Sequence, residues 1–308
     1  VHKYKIVPLG DNNTCGEAAY VTFDHRKIVS ITGKKYSYTA MKNDIEDLEK
    51  AYSDYCHVNV FGTSTKGRNL YDVVIGNPNA EKSVLVVSTL HAREYVCSAL
   101  MMRQIEYYLK NYNGTINGMV PSEVLNDVQI HYVVMANPDG VVISQNSYKR
   151  WKANARGVDL NRNFPYKFRV RGKKGAEGFS GSKAASEKET KAIIKLCKNL
   201  KSTTSLKSVI NYHAMGQIIF GDYSGSNSKV KKETTSLYHL ARKLTGYKSA
   251  ASYNSTGYGN FREYVMYGMK IPSITIEVGR TTCPCNFSEY GSIFTKNKNL
   301  LLSVAKRY

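Results

Sequence analysis

The stretch Val84-Leu85-Val86-Val87-Ser88-Thr89-Leu90, followed at once by His91-Ala92-Arg93-Glu94, decides the fold of this chain. A near-continuous apolar run of this length reads as a strand buried on both faces, because a strand with one wet face alternates apolar and polar residues. The pattern continues outward in both directions. Residues 39–52 read as a helix with Met41, Ile45, Leu48 and Tyr52 on one face, and residues 58–62 and 72–75 as strands. On the other side come a long amphipathic helix at 94–112, a strand at 128–135 and a turn at Asn137-Pro138-Asp139-Gly140. Further helices fall at 184–200, 231–244, 261–267 and 292–307, and strands at 206–212 and 273–278. Alternation of this kind predicts an α/β domain, a central mixed sheet flanked by helices. Ligand sites in such sheets gather at the carboxyl ends of strands, where both His91 and His213 fall.

Residues 1–35 differ in pattern from the rest of the chain and read as an N-terminal extension. Residues 19–23 and 27–31 read as two short strands of a hairpin around an Asp24-His25-Arg26 turn, and residues 36–308 as the main domain. The 308 residues, 42% of them hydrophobic, suffice for a sizeable core, and the longest apolar runs are far too short to span a bilayer. The chain begins at Val1, which suggests a trimmed form, and an exported, extracellular or wall-associated protein is expected. Against 24 acidic residues stand 44 Lys and Arg, a net +20 that favours anionic surroundings such as wall polymers, acidic peptides or nucleic acid. No basic-aromatic nucleic-acid motif accompanies it, so no specific nucleic acid is expected. Six cysteines are too sparse for a disulfide scaffold. Cys97 and Cys197 fall on apolar helix faces; Cys283 and Cys285 are either disulfide participants or plain loop thiols.

The chemistry-bearing residues are individually weak signals. His91 and Glu94, three apart where a strand turns into a helix, can point at one ion. Alone, such a pair is more often chance. His213 ends the strand Val209-Ile210-Asn211-Tyr212 and alone reads as a hydrogen-bonded strand terminus. Glu277, inside Ile274-Thr275-Ile276-Glu277-Val278, is a carboxylate in an apolar strand, costly unless paired or functional. Asp159-Leu160-Asn161-Arg162-Asn163 is a polar cluster that a purely structural segment rarely needs.

In this order and spacing the motifs resemble the metallocarboxypeptidase family, the zinc peptidases typified by pancreatic carboxypeptidase, over about residues 36 to 308. Trp151-Lys152-Ala153-Asn154 followed by Gly157 to Pro165 looks most like the bacterial branch that includes γ-D-glutamyl-diaminopimelate peptidases. The resemblance implies one zinc ion per chain, held by His91, Glu94 and His213 with a fourth position left for water. Asp159 would orient His91, Asn161 and Arg162 would grip a substrate carboxylate, and Glu277 would be the general base. Two departures stand out. Lys152 occupies the place of an oxyanion-stabilising arginine, a task that Arg156 could share. No tyrosine aligns cleanly with the family's mobile one, and Tyr253 and Tyr258 are both candidates, with Tyr253 preferred. Arg262 falls in the segment that forms the base of the family's specificity pocket, where a cation should select an acidic group; the competing reading pairs it with Glu263. The expected reaction is hydrolysis of an amide bond beside a free carboxylate, in peptidoglycan stem peptides. The alternatives are a conventional carboxypeptidase acting on protein C-termini and a non-catalytic wall-binding module.

Overall fold

The computed structural model describes residues 2–12, 14–23, 27–31, 33, 35–174, 176–221, 228–250 and 258–308. In chain order it contains β1 (His2–Ile6), β2 (Ala19–Phe23), α1 (Tyr38–Ala51), β3 (Cys56–Thr63), β4 (Asn69–Ile75), β5 (Lys82–Ser88), α2 (Val96–Lys110), α3 (Pro121–Asp127), β6 (Val128–Val133), α4 (Pro138–Asn146), α5 (Lys188–Thr203), β7 (Leu206–Ala214), β8 (Ile218–Phe220), α6 (Lys229–Thr245), β9 (Lys248–Ser249), the single turn α7 (Phe261–Glu263), β10 (Ser273–Val278), α8 (Tyr290–Asn297) and α9 (Leu300–Ala305). Eight strands form one sheet in the order β3-β4-β6-β5-β7-β10-β8-β9. The central pairs β6·β5, β5·β7 and β7·β10 are parallel, while β3·β4, β4·β6 and β10·β8 are antiparallel, so the sheet is mixed. No helix among the described residues is long and apolar enough to cross a membrane.

The apolar run of β5 behaves as a two-faced strand. Val84 and Val86 enter the core shared with α1, α2, α6, α8 and α9, while Leu85 and Val87 enter a second core against α5 and α7. The two-residue period of a strand sends neighbours to opposite faces, and both faces are covered. The register then sets the site. Ser88 of β5 pairs with Tyr212 of β7, and His213 of β7 pairs with Glu277 of β10. The carboxyl ends of three parallel strands therefore deliver His91, His213 and Glu277 at one level.

Three sequence expectations change. Residues 27–31 are not a strand, and β2 instead pairs antiparallel with β1. The backbone of 27–31 is claimed by side chains. Glu106 accepts from the N–H of Ile28 (2.7 Å) and Val29 (3.3 Å), and Asp44 accepts from that of Ser30 (3.1 Å). Val29 is thereby drawn into the main core with no exposure. The Asp24-His25-Arg26 turn lies outside the described residues. Asn137-Pro138-Asp139-Gly140 opens α4 where a turn was expected. Asn137 caps it by accepting from Gly140 N–H at 3.1 Å, and Pro138 takes the first helical position, where its missing N–H costs nothing. The helix expected over 292–307 is two, α8 and α9.

Glu106 is a charged group buried between α1 and α2, its side chain without exposure. It pairs with Arg103 and with Lys110 at 3.1 Å. Burial works to raise its pKa, but the Ile28 N–H, Lys110 and Arg103 outweigh this and hold it below the usual carboxylate range. Glu106→Gln should cost about 1–3 kcal/mol of stability at neutral pH. Because the folded pKa is depressed, the stability this charge adds is present above the unfolded value of about 4.3 and is lost as pH falls through the folded one. Urea unfolding should therefore show a gap between parent and variant at neutral pH that narrows below about pH 4. A gap independent of pH would exclude the charge as its source.

Candidate active site

Helix α2 begins just after Glu94, so the His91–Glu94 segment is a tight turn with Glu94 N–H bonded to His91 O at 3.1 Å. That turn aims both side chains at β7. Glu94 sits between two imidazoles, with Oε1 2.8 Å from His91 Nδ1 and Oε2 2.7 Å from His213 Nδ1. The two Nδ1 atoms face each other at 3.1 Å, and Ala214 N–H donates to Glu94 Oε2 at 3.2 Å. All three residues are buried, and their ligand-type atoms lie within 4.8 Å of one another.

The far nitrogens of both rings are also engaged. His91 Nε2 lies 3.2 Å from Asp159 Oδ1, and Lys152 lies 3.2 Å from Asp159 Oδ2. His213 Nε2 lies 2.9 Å from the Asn211 amide and 3.4 Å from that of Asn161. The Asn211 carbonyl oxygen is buried with no partner. Presented to Nε2, it would accept the ring proton and leave Nδ1 bare toward Glu94, which is what a metal ligand requires. Two imidazoles and one carboxylate, converging from buried positions with their outer nitrogens held, fit a zinc site with a fourth position open.

Electrostatics follow the geometry. Burial opposes charge on Glu94, yet His91 and His213 hold its pKa far below the ordinary range. Asp159 is likewise held down by His91, Lys152 and Arg162 against its burial. His213 is lowered by burial, although Glu94 pulls it upward. Glu277 moves the other way and is pushed up to about 8 by burial and by the charge of Glu94. A cation between His91, Glu94 and His213 would offset that repulsion and draw Glu277 back down.

The cluster opens into a cleft of about 740 Å³ lined by Arg93, Glu94, Lys149, Arg150, Lys152, Asn161, Arg162, Arg262 and Glu277, among others. Asn161 is fixed in orientation, since Phe261 N–H donates to its Oδ1 at 2.9 Å and leaves its NH2 toward His213 and the cleft. Arg162 is tied to Asn161 O at 2.8 Å. Arg262 is buried, 5.5 Å from the Phe220 ring centroid and 3.6 Å from Glu263. It therefore has the acidic neighbour that the competing reading foresaw, and it lines the cleft as well.

Not every candidate is gathered there. Arg156 pairs with Glu187 at 3.2 Å with its side chain 61% exposed, and it does not line the cleft. Tyr258 lies under Arg169, whose guanidinium carbon is 4.0 Å from its ring centroid, and does not line the cleft either. Tyr253 lies outside the described residues. Sequence reasoning overlooked Arg93, which sits inside the His91–Glu94 motif and pairs with Glu177 at 2.8 Å. It also overlooked Asn211, two residues before His213 and so on the same strand face, a period-2 signal that was available. Cys283, in the cleft wall, and Cys285 are separate thiols.

A family model of zinc carboxypeptidases matches residues 41–295. The chain belongs to that family and is a zinc metallopeptidase. Gamma-D-glutamyl-L-diamino acid endopeptidase 1 of Lysinibacillus sphaericus is 25% identical over 298 residues, covering 88% of this chain and 72% of the relative. Carboxypeptidase B of Bos taurus is 26% identical over 252 residues, covering 77% of this chain and 58% of the relative. Among solved structures, thrombin activatable fibrinolysis inhibitor matches with a TM-score of 0.76 at 20% identity, over 88% of this chain and 74% of that one. Murein-tripeptide amidase MpaA from Escherichia coli O157 matches at 0.56 and 20% identity, over 81% of this chain and 91% of that one. At these identities the structural likeness establishes the fold, an α/β zinc-carboxypeptidase-like sheet.

Gly259 couples the two arginine-bearing segments. Its φ is +66°, and a Cβ there would lie 2.3 Å from Arg162 O. Its carbonyl accepts from Phe164 N–H at 2.9 Å, three residues before Arg262. Gly259→Ala should lose about 1–3 kcal/mol of stability and raise KM more than it lowers kcat, because Arg162 must move. Gly67→Ala, at φ +82° with nothing within 4 Å, supplies the control for backbone strain alone. Equal KM values in the two variants would show that Gly259 does not position the arginine.

Proposed function

We propose that the chain hydrolyses an amide bond beside a free carboxylate in peptidoglycan stem peptides, at a γ-D-glutamyl-diamino acid linkage, using one zinc ion held by His91, Glu94 and His213. The observation that carries the substrate reading is that Arg262 lines the same cleft as Arg162. Two guanidinium groups suit a terminal residue with two carboxylates, and each can engage one bidentately. Diaminopimelate is such a residue. The activities for which the Lysinibacillus relative and the Escherichia coli amidase are named lie in the same substrate class. The +20 charge suits an exported or wall-associated setting among anionic polymers.

Zinc, when bound, polarises the scissile carbonyl and lowers the pKa of a bound water to about 7. Glu277 takes the proton of the attacking water and passes it to the leaving nitrogen. Lys152, held by Asp159, supplies positive charge beside the developing oxyanion. Asn161 and Arg162 hold the carboxylate that fixes which bond is cut.

Glu277→Gln should keep its zinc and its fold while kcat falls about a hundred- to ten-thousand-fold. His213→Ala should instead lose the metal, read by elemental analysis. Turnover within a few-fold of the parent in Glu277→Gln removes that residue from the chemistry, and undiminished zinc in His213→Ala removes the ligand assignment.

Specificity is tested with stem tripeptides ending in diaminopimelate or lysine, beside ordinary peptides ending in glutamate. The parent should prefer the diaminopimelate peptide, and Arg262→Glu should reverse or abolish the preference. A parent that favours α-linked glutamate peptides is a conventional carboxypeptidase. A variant that keeps the parent's ranking shows that Arg262 does not read the side chain.

A further inference from the structure

A second cavity, of about 660 Å³, opens off the catalytic cleft and has a different chemical character. The two share Lys149, Thr282 and Pro284 as a common wall. They do not share Asn161, Arg162 or Arg262, so the extension leads away from the carboxylate-gripping end. With the substrate carboxylate held at Asn161 and Arg162, such an extension is the place for a group on the acyl side of the bond to be cut. Six cations line the catalytic cleft (Arg93, Lys149, Arg150, Lys152, Arg162 and Arg262). In the second cavity only Lys35 and Lys149 are cations, and seven of the twelve lining residues carry a hydroxyl or an amide: Tyr95, Ser144, Gln145, Asn146, Ser147, Thr282 and Asn286. No carboxylate lines it among the described residues. One wall carries two stacked rings, Tyr95 and Phe287, with centroids 6.0 Å apart and planes at 28°.

Several of these polar groups are locked as structure. Ser144 Oγ donates to Lys149 O at 2.9 Å, Gln145 Nε2 donates to Tyr36 O at 2.9 Å, and Asn286 Oδ1 accepts from Ser288 N–H at 3.0 Å. These bonds make the wall rigid. Asn146 and Ser147, at the exposed carboxyl end of α4, have side chains with no partner among the described residues. An amide and a hydroxyl both donate and accept, so the pair can serve a ligand that does the same.

We propose that this cavity binds an N-acetylated sugar carried on the acyl side of the substrate, so that the enzyme acts on stem peptides still joined to glycan. The proposal rests on the stem-peptide reading of the catalytic cleft. An N-acetylated sugar presents hydroxyls and an amide around its rim and apolar C–H faces to an aromatic surface, the combination this wall offers. An extended peptide in the same place would need backbone partners along a strand edge. The lining here comes from Lys35, Tyr95, the end of α4 with the residues just after it, and the 282–287 segment, with no strand of the sheet among it.

The test compares kcat/KM of the zinc-loaded enzyme on three substrates. These are the free L-alanyl-γ-D-glutamyl-diaminopimelate tripeptide, the same tripeptide joined to N-acetylmuramic acid, and the tripeptide extended by two alanines. The sugar-bearing substrate should be favoured on the order of tenfold, through a lower KM, the contribution of one or two net hydrogen bonds. The double variant Asn146→Ala/Ser147→Ala should lose most of that advantage with its rate on the free tripeptide unchanged. Ser147→Trp, which fills the cavity, should abolish it. No advantage for the sugar, an equal advantage for the dialanine extension, or an advantage that survives both variants overturns the proposal. If none of the three is cut, the stem-peptide reading falls. Calorimetric titration with the N-acetylmuramyl peptide then decides the sugar site by itself: saturable binding lost in the double variant supports it, and no binding overturns it.

Discussion

One buried carboxylate, Glu94, held between two imidazoles, is the interaction on which the rest of the structure depends. Removing an ionised carboxylate from water is expensive, and the cost is met only where several donors converge on it. Here His91, His213 and the Ala214 N–H converge on its two oxygens. Those donors come from the ends of β5 and β7, so the carboxylate is satisfied only if those strands are parallel neighbours in the observed register. Losing one partner of such a group costs about 3–5 kcal/mol, far more than a surface ion pair contributes. The same convergence is what a metal ion needs, so the electrostatic demand of folding and the demand of chemistry coincide at one point.

The second constraint is burial of the sheet on both faces. Because β5, β7 and β10 are covered on either side, their only open ends are their termini, and polar chemistry is confined there. Charge is sorted accordingly. Positive groups ring the cleft, while the two carboxylates facing into it, Glu94 and Glu277, lie at the bottom and experience each other. Glu277 responds with a raised pKa because its burial and the charge of Glu94 together outweigh the opposing pull of His91 and Lys152.

Away from the site, side-chain acceptors override backbone preference more than once. Residues 27–31 have β-prone composition, yet Glu106 and Asp44 capture their N–H groups and leave no ladder to form. Asn137 caps α4 and also donates to Leu90 O and Ala153 O, each at 3.1 Å. It thus ties the end of β5 to the loop that carries Lys152, which makes the Asn137–Gly140 motif part of the scaffold under the cleft.

The sequence by itself determined the alternation of strands and helices, the two-faced character of β5, and the identity of His91, Glu94, Asp159, Asn161, Arg162, His213, Arg262 and Glu277 as the polar residues worth watching. These were legible because they are local: a two- or four-residue period, a charge inside an apolar strand, a motif within a few positions. Which ring nitrogens face the ligand cluster, that Arg156 turns away to Glu187, that Arg262 lines the cleft as well as meeting Glu263, and that a second cavity rich in hydroxyls and amides adjoins the catalytic one emerge only in three dimensions. Each depends on residues far apart in the chain being brought to one place, by strand register and by competition among partners for one polar atom. No spacing in the sequence records the outcome of that competition, because it is settled in three dimensions, where the cost of an unpaired buried group selects the winner.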